Sequence, residues 1–343
     1  MESKASISLC MITKNEEAFL ERCLNSVKDI VSEIIIVDSG SVDKTREIAK
    51  SFGAKVFDFQ WKDSFAEARN ESIRRASSGW ILVLDADEFI DKIIKEKLKE
   101  LVENAGQKTG GFFLDQISYL KAPFSGCRKN NLKFTEEYPF CISKRMVRLF
   151  RSKEGFKFRH RVHELVDDSL KEKGYEILDS GLSIHHLGSV KDEKSLQRKQ
   201  EKYAKLILKQ LEDDPNSARY SYYAAGYFMS MNDVDRALEL YKKVAEIDPN
   251  FKLIFSDIAK AYLKKGNIER AIVYFRKSMK LHPENPSPAN NLAVLLMQKS
   301  MFASAKTILE EQIEKNPDSK PLRINYQTLL EHAYKKQGVY KAG

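Results

Sequence analysis

The sequence lacks any long apolar run. Its apolar stretches at 34–37 and 80–84 span four and five residues, far short of the roughly 20 that a membrane-spanning helix needs. The segment 1–12 also lacks a basic region followed by a long apolar stretch, which is the pattern of a secretory signal. We therefore expect a cytoplasmic protein with at most peripheral membrane association.

Cysteine is scarce. The 343 residues contain four, Cys10, Cys23, Cys127 and Cys141, and no two of them form the Cys-x-x-Cys pair that is typical of zinc sites. So few cysteines in a chain of this length also exclude a dense disulfide framework. We therefore expect free thiols, and a chain long enough to bury a core in each of two domains.

Acidic residues are too few to balance the basic ones. The 58 lysines and arginines exceed the 49 aspartates and glutamates by 9. Most of this surplus lies in the segment 128–161, which has 11 basic and 3 acidic residues. Such a surplus favours an anionic partner. No RNA-binding motif accompanies it, so we expect no nucleic acid.

Proline is also rare, yet four of the nine prolines are regularly spaced. Pro215, Pro249, Pro283 and Pro317 lie 34 residues apart. The same interval relates three further columns: Ala225, Ala259 and Ala293; Ala237, Ala271 and Ala305; and Tyr241, Phe275 and Leu309. A period of 34, with small residues where paired helices touch and proline after the second helix, is typical of tetratricopeptide repeats.

Two domains follow from this repeat. An all-α tetratricopeptide-repeat domain is predicted at 191–343, with about three full repeats, a partial leading helix before Pro215 and a capping helix that begins at Lys320. The first domain then occupies 1–190, and the linker between the two lies at 189–193.

Strand and helix patterns alternate over the first 90 residues. Short β-rich apolar runs lie at Ser6–Ile12, Glu33–Asp38, Ala54–Phe59 and Trp80–Asp85, with helical patterns between them. This order predicts an α/β fold with a mostly parallel, Rossmann-like sheet and helices on both faces.

Beyond Gly110 the strand patterns follow one another without crossover helices. They lie at 110–120, 145–152, 161–168 and 175–186. An antiparallel or mixed half-sheet is therefore expected to complete the first domain near Gly188.

Polar residues follow three of the early strands, at 13–16, 38–41 and 85–88. In a parallel sheet these positions share the edge where ligands bind. Asp85 and Asp87 could face one ligand, and paired carboxylates suit Mg²⁺ or Mn²⁺ carrying phosphate oxygens. The alternative is a solvated acidic turn or helix start. Glu88 is expected to begin the next segment as its first turn.

Three segments resemble the nucleotide-sugar-binding half of a family 2 glycosyltransferase with the GT-A fold. They are "CMITKNEEAFLERCLNSV", "IIIVDSGSVDKTREIA" and "FAEARNESIRRASSGWILVLDADE". The resemblance implies that Asp38 contacts the nucleobase with Arg69 nearby, that Asp85 faces the ribose and that Asp87 binds the metal. The same nucleotide-sugar pocket is expected to include Thr13, Asn15, Glu16 and Ser41. Alternatively, Asp38 starts a turn in which Ser41 caps the next helix, and Arg69 is a surface residue.

The acidic pair that many family 2 enzymes use as catalytic base has no equivalent in this sequence. A His-Glu pair, His163 and Glu164, and a later His-x-Gly at His186 resemble instead a subgroup of bacterial core-oligosaccharide transferases and bacteriocin peptide glycosyltransferases. Glu164 is therefore the candidate base and His186 a further metal ligand. His163 and His185 rank second, because a histidine beside a strand commonly has a structural role.

These features predict a metal-dependent glycosyltransferase with Mn²⁺ or Mg²⁺ and a nucleotide-sugar donor, a UDP-sugar being favoured. Inversion is what the family implies. The repeats offer a concave surface for a peptide or protein acceptor, or could join two copies in a homodimer.

Two alternatives stay open. One is transfer to a lipopolysaccharide core or another surface glycan, where a basic strand face of Arg145, Arg148 and Arg151 would meet an anionic acceptor or the diphosphate, unless that face is merely solvated. The other is a non-catalytic repeat scaffold with a degenerate sugar-nucleotide domain.

Overall fold

The computed structural model describes residues 5–122, 127–130, 137–152, 155–187, 193–251 and 253–336. Contacts divide the chain into two units, Met1–Leu206 and Ile207–Gly343. The linker expected at 189–193 and the boundary at 190 lie almost wholly outside the described residues, and the division by contacts falls within a helix that begins at Glu193.

The first unit is an α/β domain. Its strands are β1 (Ile7–Thr13), β2 (Glu33–Asp38), β3 (Lys55–Asp58), β4 (Trp80–Val83), β5 (Glu88–Phe89), β6 (Thr109–Leu120), β7 (Arg128–Lys129), β8 (Phe140–Arg151) and β9 (Glu176–His186). Its helices are α1 (Glu17–Val27), α2 (Thr45–Ser51), α3 (Phe65–Arg74), α4 (Lys92–Glu103), α5 (Asp167–Glu172) and the larger part of α6 (Glu193–Asp213). No helix in the described ranges combines the length and hydropathy that crossing a bilayer requires.

All nine strands belong to one mixed sheet, in the order β3-β2-β1-β4-β8-β6-β9-β5, with β7 paired to β8. Strands β1 to β4 pair in parallel, as predicted. Strand β8 joins β4 and β6 in antiparallel fashion, and β9 is parallel to β6 but antiparallel to β5. The mixed second half predicted for the sheet is therefore confirmed.

Helices cover both faces of the parallel half because its central strands β1, β2 and β4 carry buried apolar side chains on both faces. In β1, Leu9 and Met11 pack with Leu20 of α1 in one core, whereas the intervening Cys10 packs with Ala66 of α3 in a second core on the opposite face. Side chains of a strand alternate between faces, so a continuous apolar run feeds both cores.

The strand predicted at 161–168 is wrong. This segment is irregular, with a single bridge between Arg159 and Leu165, and it leads into α5. His160 and His163 have φ angles of 75° and 53°, which lie in the left-handed region that strands do not use. The amide of Phe65 donates to the carbonyl of Arg161 (2.8 Å) and holds the segment against α3.

The second unit consists of paired helices, as the repeat predicts. They are α7 (Ala218–Ser230) with α8 (Val234–Ile247), α9 (Ile254–Lys264) with α10 (Ile268–Leu281), and α11 (Pro286–Gln298) with α12 (Phe302–Lys315), followed by α13 (Lys320–Lys336). The six column alanines, Ala225, Ala237, Ala259, Ala271, Ala293 and Ala305, are all fully buried. Each of the four prolines lies two residues beyond a helix end.

Enlarging one of these alanines should destabilise the repeat unit. Ala259 is 0% exposed among packed apolar side chains, so Ala259→Leu has no room and is expected to lower the free energy of unfolding by about 1–3 kcal/mol. Ala303 is exposed on α12, and Ala303→Leu should change it by less than about 0.5 kcal/mol. Urea unfolding followed by circular dichroism measures both, and equal stability of the two variants would contradict close helix packing at Ala259.

Candidate active site

A buried arginine, Arg69 of α3, joins two of the predicted site residues. Its Nε–H donates to Oε1 of Glu164 (2.6 Å) and its Nη2–H donates to Oδ1 of Asp85 (2.7 Å). Glu164 is 95 residues away in sequence, yet Arg69 holds it beside the acidic residues that follow β4. Arg69 is only 6% exposed, so the alternative that it is a surface residue is excluded.

A second buried arginine, Arg148 of β8, binds Asp85 from another side. Its Nη2–H donates to Oδ2 of Asp85 (3.2 Å) and to Oε1 of Glu88 (2.7 Å). Oε1 of Glu88 also accepts from Gln116, and its Oε2 accepts from the amide of Asp85 (2.8 Å). Asp85 is thus held by side chains from α3 and β8 and through its own backbone.

The arginines decide the charge of Asp85. Burial by itself would raise the pKa of this carboxyl, but the positive charges of Arg69 and Arg148 hold the pKa far below its ordinary value. At Glu88, in contrast, the effect of burial outweighs the charge of Arg148, and the pKa of this carboxyl is raised. Asp85 is therefore ionised at neutral pH and can accept hydrogen bonds, for example from ribose hydroxyls.

The structure places Glu88 in a different element from the one predicted. It lies in strand β5, opposite His186 of β9, and α4 begins only at Lys92. It is therefore not the first turn of the next helix. Its buried carboxylate supports Arg148 instead.

Asp87 and His186 meet at the same edge. The Nε2 of His186 lies 3.6 Å from Oδ1 of Asp87, and its Nδ1 lies 2.8 Å from the hydroxyl of Ser118. Burial lowers the pKa of His186, but the hydrogen bond to Asp87 and the negative charges of Asp87, Glu88 and Asp85 outweigh it, so the pKa is raised. The acidic residues thus favour a positive charge at this point.

This pair fits a divalent cation in part. Two neighbouring ligands of an octahedral Mg²⁺ or Mn²⁺ lie about 3 Å apart, close to the Asp87–His186 separation of 3.6 Å. In the described residues, no group of three or more His, Cys, Asp or Glu is arranged to hold a metal ion. A cation here would depend on oxygens of its ligand to complete its coordination.

The other two histidines have different surroundings. His185 is buried, with its Nδ1 2.6 Å from the Tyr119 hydroxyl and its ring stacked on Phe89 at 4.8 Å. Burial lowers its pKa, which agrees with a structural role. His163 adopts a left-handed φ of 53° directly before Glu164.

Asp38 organises the turn that follows β2. Its Oδ1 accepts from the amides of Gly40 (3.2 Å) and Ser41 (2.9 Å), and its Oδ2 accepts from the hydroxyls of Thr13 (3.0 Å) and Ser41 (2.5 Å). Arg46 adds a fifth donor at 3.2 Å. A carboxylate offers about four acceptor sites, so contact with a nucleobase would require one of these donors to leave.

Asn15, Glu16 and Ser41 interlock beside Asp38. The amide of Asn15 donates to the Ser41 hydroxyl (2.9 Å), and the Asn15 side-chain oxygen accepts from the amide of Val42 (2.9 Å). The amide of Glu16 donates to the Thr45 hydroxyl (2.7 Å). The structure therefore brings 13–16 and 38–41 together, as predicted, while their contact with a nucleotide stays a prediction.

Arg145, Arg148 and Arg151 do not form one basic strand face, which corrects the expectation. Arg145 pairs with Asp115 (3.3 Å) and Asp179 (3.0 Å) on the surface, Arg148 is buried, and Arg151 donates to the carbonyl of Thr109 (2.7 Å). These arginines therefore offer no shared surface to an anionic acceptor.

Several contributors to the site have no local signal in the sequence. Gln116 and Ser118 lie on β6 and reach Glu88 and His186 only through strand pairing. The carboxylate of Glu88 was visible as the third acid after β4, and a buried acid needs a cationic partner. That requirement could have pointed to Arg148.

Comparison with known proteins agrees with this geometry. The model of glycosyl transferase family 2 matches residues 8–159, and a tetratricopeptide-repeat model matches 228–273 and 262–331. A TPR repeat-containing protein of Synechococcus elongatus is 42% identical over 48% of this chain and 36% of its own length. The SPbeta prophage-derived glycosyltransferase SunS of Bacillus subtilis is 27% identical over 69% of this chain and 53% of its own length.

An uncharacterised glycosyltransferase of Rickettsia bellii is 42% identical over 37% of this chain and 47% of its own length. The chain thus spans between about a third and about half of the length of these relatives. The first unit, with its parallel strands and acidic edge, and the repeats that follow match two separate models. The chain carries a family 2 glycosyltransferase domain followed by tetratricopeptide repeats.

Proposed function

We propose that the protein is a metal-dependent glycosyltransferase that transfers a sugar from a nucleotide sugar, with UDP-sugars favoured, to a peptide or protein acceptor with inversion. The observation that carries this proposal is the linked set Glu164–Arg69–Asp85–Arg148, built at the carboxyl end of β4. It supports the proposal because it lies within, or directly beside, the segment that matches family 2.

Each residue has a distinct task in this proposal. Asp85, kept ionised by two arginines, accepts hydrogen bonds from the ribose. Asp87 and His186 would hold Mn²⁺ or Mg²⁺, and the bound cation supplies positive charge that stabilises the departing nucleoside diphosphate. The wall that is expected to receive the nucleobase consists of Asp38, Thr13, Asn15, Glu16 and Ser41.

Glu164 would act as the general base. Its Oε1 is engaged by Arg69, and within the described part of the chain no other side chain is hydrogen-bonded to it. The proton of the acceptor passes to Glu164 while the acceptor atom bonds to the anomeric carbon. The bond from that carbon to the diphosphate oxygen breaks, and the diphosphate leaves with the electron pair. Attack from the face opposite the leaving group inverts the anomeric centre.

The repeats support a polypeptide acceptor. Tetratricopeptide arrays present extended surfaces suited to protein segments, and the repeats of this chain lie C-terminal to the segment that matches family 2. The same surface could also join two copies in a homodimer. The absence of a shared basic face on β8 leaves the alternative of an anionic surface glycan with less support.

A screen of nucleotide sugars tests the proposal. The protein is incubated with each donor and Mn²⁺, and thermal unfolding and nucleoside diphosphate release are measured. At least one UDP-sugar should raise the unfolding midpoint and release UDP, and a chelator should abolish both effects. If no donor of any base stabilises the protein or is turned over, the non-catalytic scaffold would be the better account.

A further inference from the structure

Helix α6 lies beyond the segment that matches family 2, yet it reaches the Glu164 region. Within the first unit, the ring of Tyr203 on α6 lies 5.5 Å from the ring of Phe65 and 5.9 Å from the ring of His163. The family model ends at residue 159, so Tyr203, His163 and Glu164 all lie outside it. Nothing in the local sequence around Tyr203 marks it as a site residue.

The two rings that Tyr203 contacts belong to the two elements that carry the central ion pair. Phe65 is the first residue of α3, whose next turn supplies Arg69. His163 directly precedes Glu164. Tyr203 therefore contacts both of the elements that carry the Arg69–Glu164 ion pair. Burial and the negative charges of Glu164 and Asp85 raise the pKa of its hydroxyl, which agrees with this placement.

The segment that carries Glu164 has little regular structure of its own. Between Arg159 and Leu165 it makes one isolated bridge, and two of its histidines hold left-handed backbone angles. Non-glycine residues in that region cost about 1 kcal/mol or more each and persist only where their surroundings hold them. The contacts of this segment with α3 and α6 are therefore part of what fixes the carboxylate.

A neighbouring side chain anchors α6 at the same place. The ammonium of Lys202 lies 4.1 Å from the centre of the Trp61 ring and 5.3 Å from that of Phe65. Trp61 and Phe65 are themselves in edge contact at 5.0 Å. Lys202 and Tyr203 thus dock side by side on the start of α3.

We propose that Tyr203 is a positioning residue that holds the Glu164 segment against α3, so that the transfer site is complete only when α6 is present. This inference rests on the proposed role of Glu164. It extends the site beyond the family 2 segment to a helix that continues past Leu206 into the second unit.

The test compares Tyr203→Ala and Tyr203→Phe with Tyr227→Ala, a half-buried tyrosine of α7 that contacts Phe228. Turnover of the donor found by screening gives kcat and KM, and hydrogen exchange of backbone amides gives the opening of 159–165. Tyr203→Ala should lower kcat about 10–100-fold, since small misplacements of a catalytic group have effects of this size. Donor KM should stay within about threefold, and exchange at 159–165 should rise about tenfold.

Tyr203→Phe keeps the ring and should behave like the wild type in both measurements, as should Tyr227→Ala. The proposal is overturned if Tyr203→Ala leaves kcat and exchange unchanged, if exchange rises equally in β1 and β2, or if Tyr203→Phe is as damaging as Tyr203→Ala. If the wild type turns over no donor, the proposed function fails, and the exchange measurement still decides whether Tyr203 holds the segment.

Discussion

Asp87→Asn is expected to lower donor turnover by about 10³-fold, because the neutral amide no longer contributes a charged oxygen to the cation at the diphosphate. The substitution keeps the size of the side chain, and the backbone carbonyl of Asp87 still accepts from the amide of Leu187 (2.9 Å). The fold should therefore survive, with an unfolding midpoint within about 5 °C of the wild type. Steady-state kinetics across a Mn²⁺ titration measure the effect.

Asp29→Asn is the matched control for this variant. Asp29 forms an exposed ion pair with Lys95 (2.9 Å), and exposed pairs contribute little to stability. Its turnover and Mn²⁺ dependence should equal those of the wild type. Full activity of Asp87→Asn at every Mn²⁺ concentration would remove Asp87 from the mechanism.

Glu164→Gln is expected to lower kcat by about 10²–10⁴-fold, the range that a general base contributes. The glutamine oxygen can still accept from Nε of Arg69, and Arg69 keeps its ion pair with Asp85 (2.7 Å). The donor site should therefore stay intact, with a donor KM within about threefold of the wild type. This pattern differs from Asp87→Asn, for which cation-dependent donor binding is lost as well.

The control for Glu164 is Glu172→Gln. Glu172 also pairs with an arginine, Arg159 (2.6 Å between Nη1 and Oε1), but on the surface of α5. Its kcat should be unchanged. A Glu164→Gln enzyme that keeps the wild-type kcat would assign the base to another residue.

The parallel half of the sheet and the repeats could be predicted because each leaves a local pattern. The prediction for β2 has the bounds of the strand itself, Glu33–Asp38. A short continuous run of apolar residues is typical of a parallel strand that is buried on both faces of the sheet. The repeat period predicted the helix pairs, because each pair needs small residues at its contact, as at Ala259 and Ala271.

The contacts of the site were harder to predict, because they join residues distant in sequence. Arg69 and Glu164 meet across 95 residues, and His186 reaches Asp87 because β9 pairs with β5. The resemblance to family 2 enzymes suggested the residues but not their partners. Glu164 lies on an irregular segment that resembles a strand only by its composition, with Val162, Leu165 and Val166, which is why that strand prediction was wrong.

Calorimetric titration of UDP tests the central claim most directly, using the wild type, Asp87→Asn and Glu164→Gln, each with and without Mn²⁺. The structure predicts one UDP site in the wild type that depends on Mn²⁺, its loss in Asp87→Asn and its retention in Glu164→Gln. Binding of UDP that is equally tight in all three proteins with and without Mn²⁺, or no binding of any nucleoside diphosphate to the wild type, would contradict it.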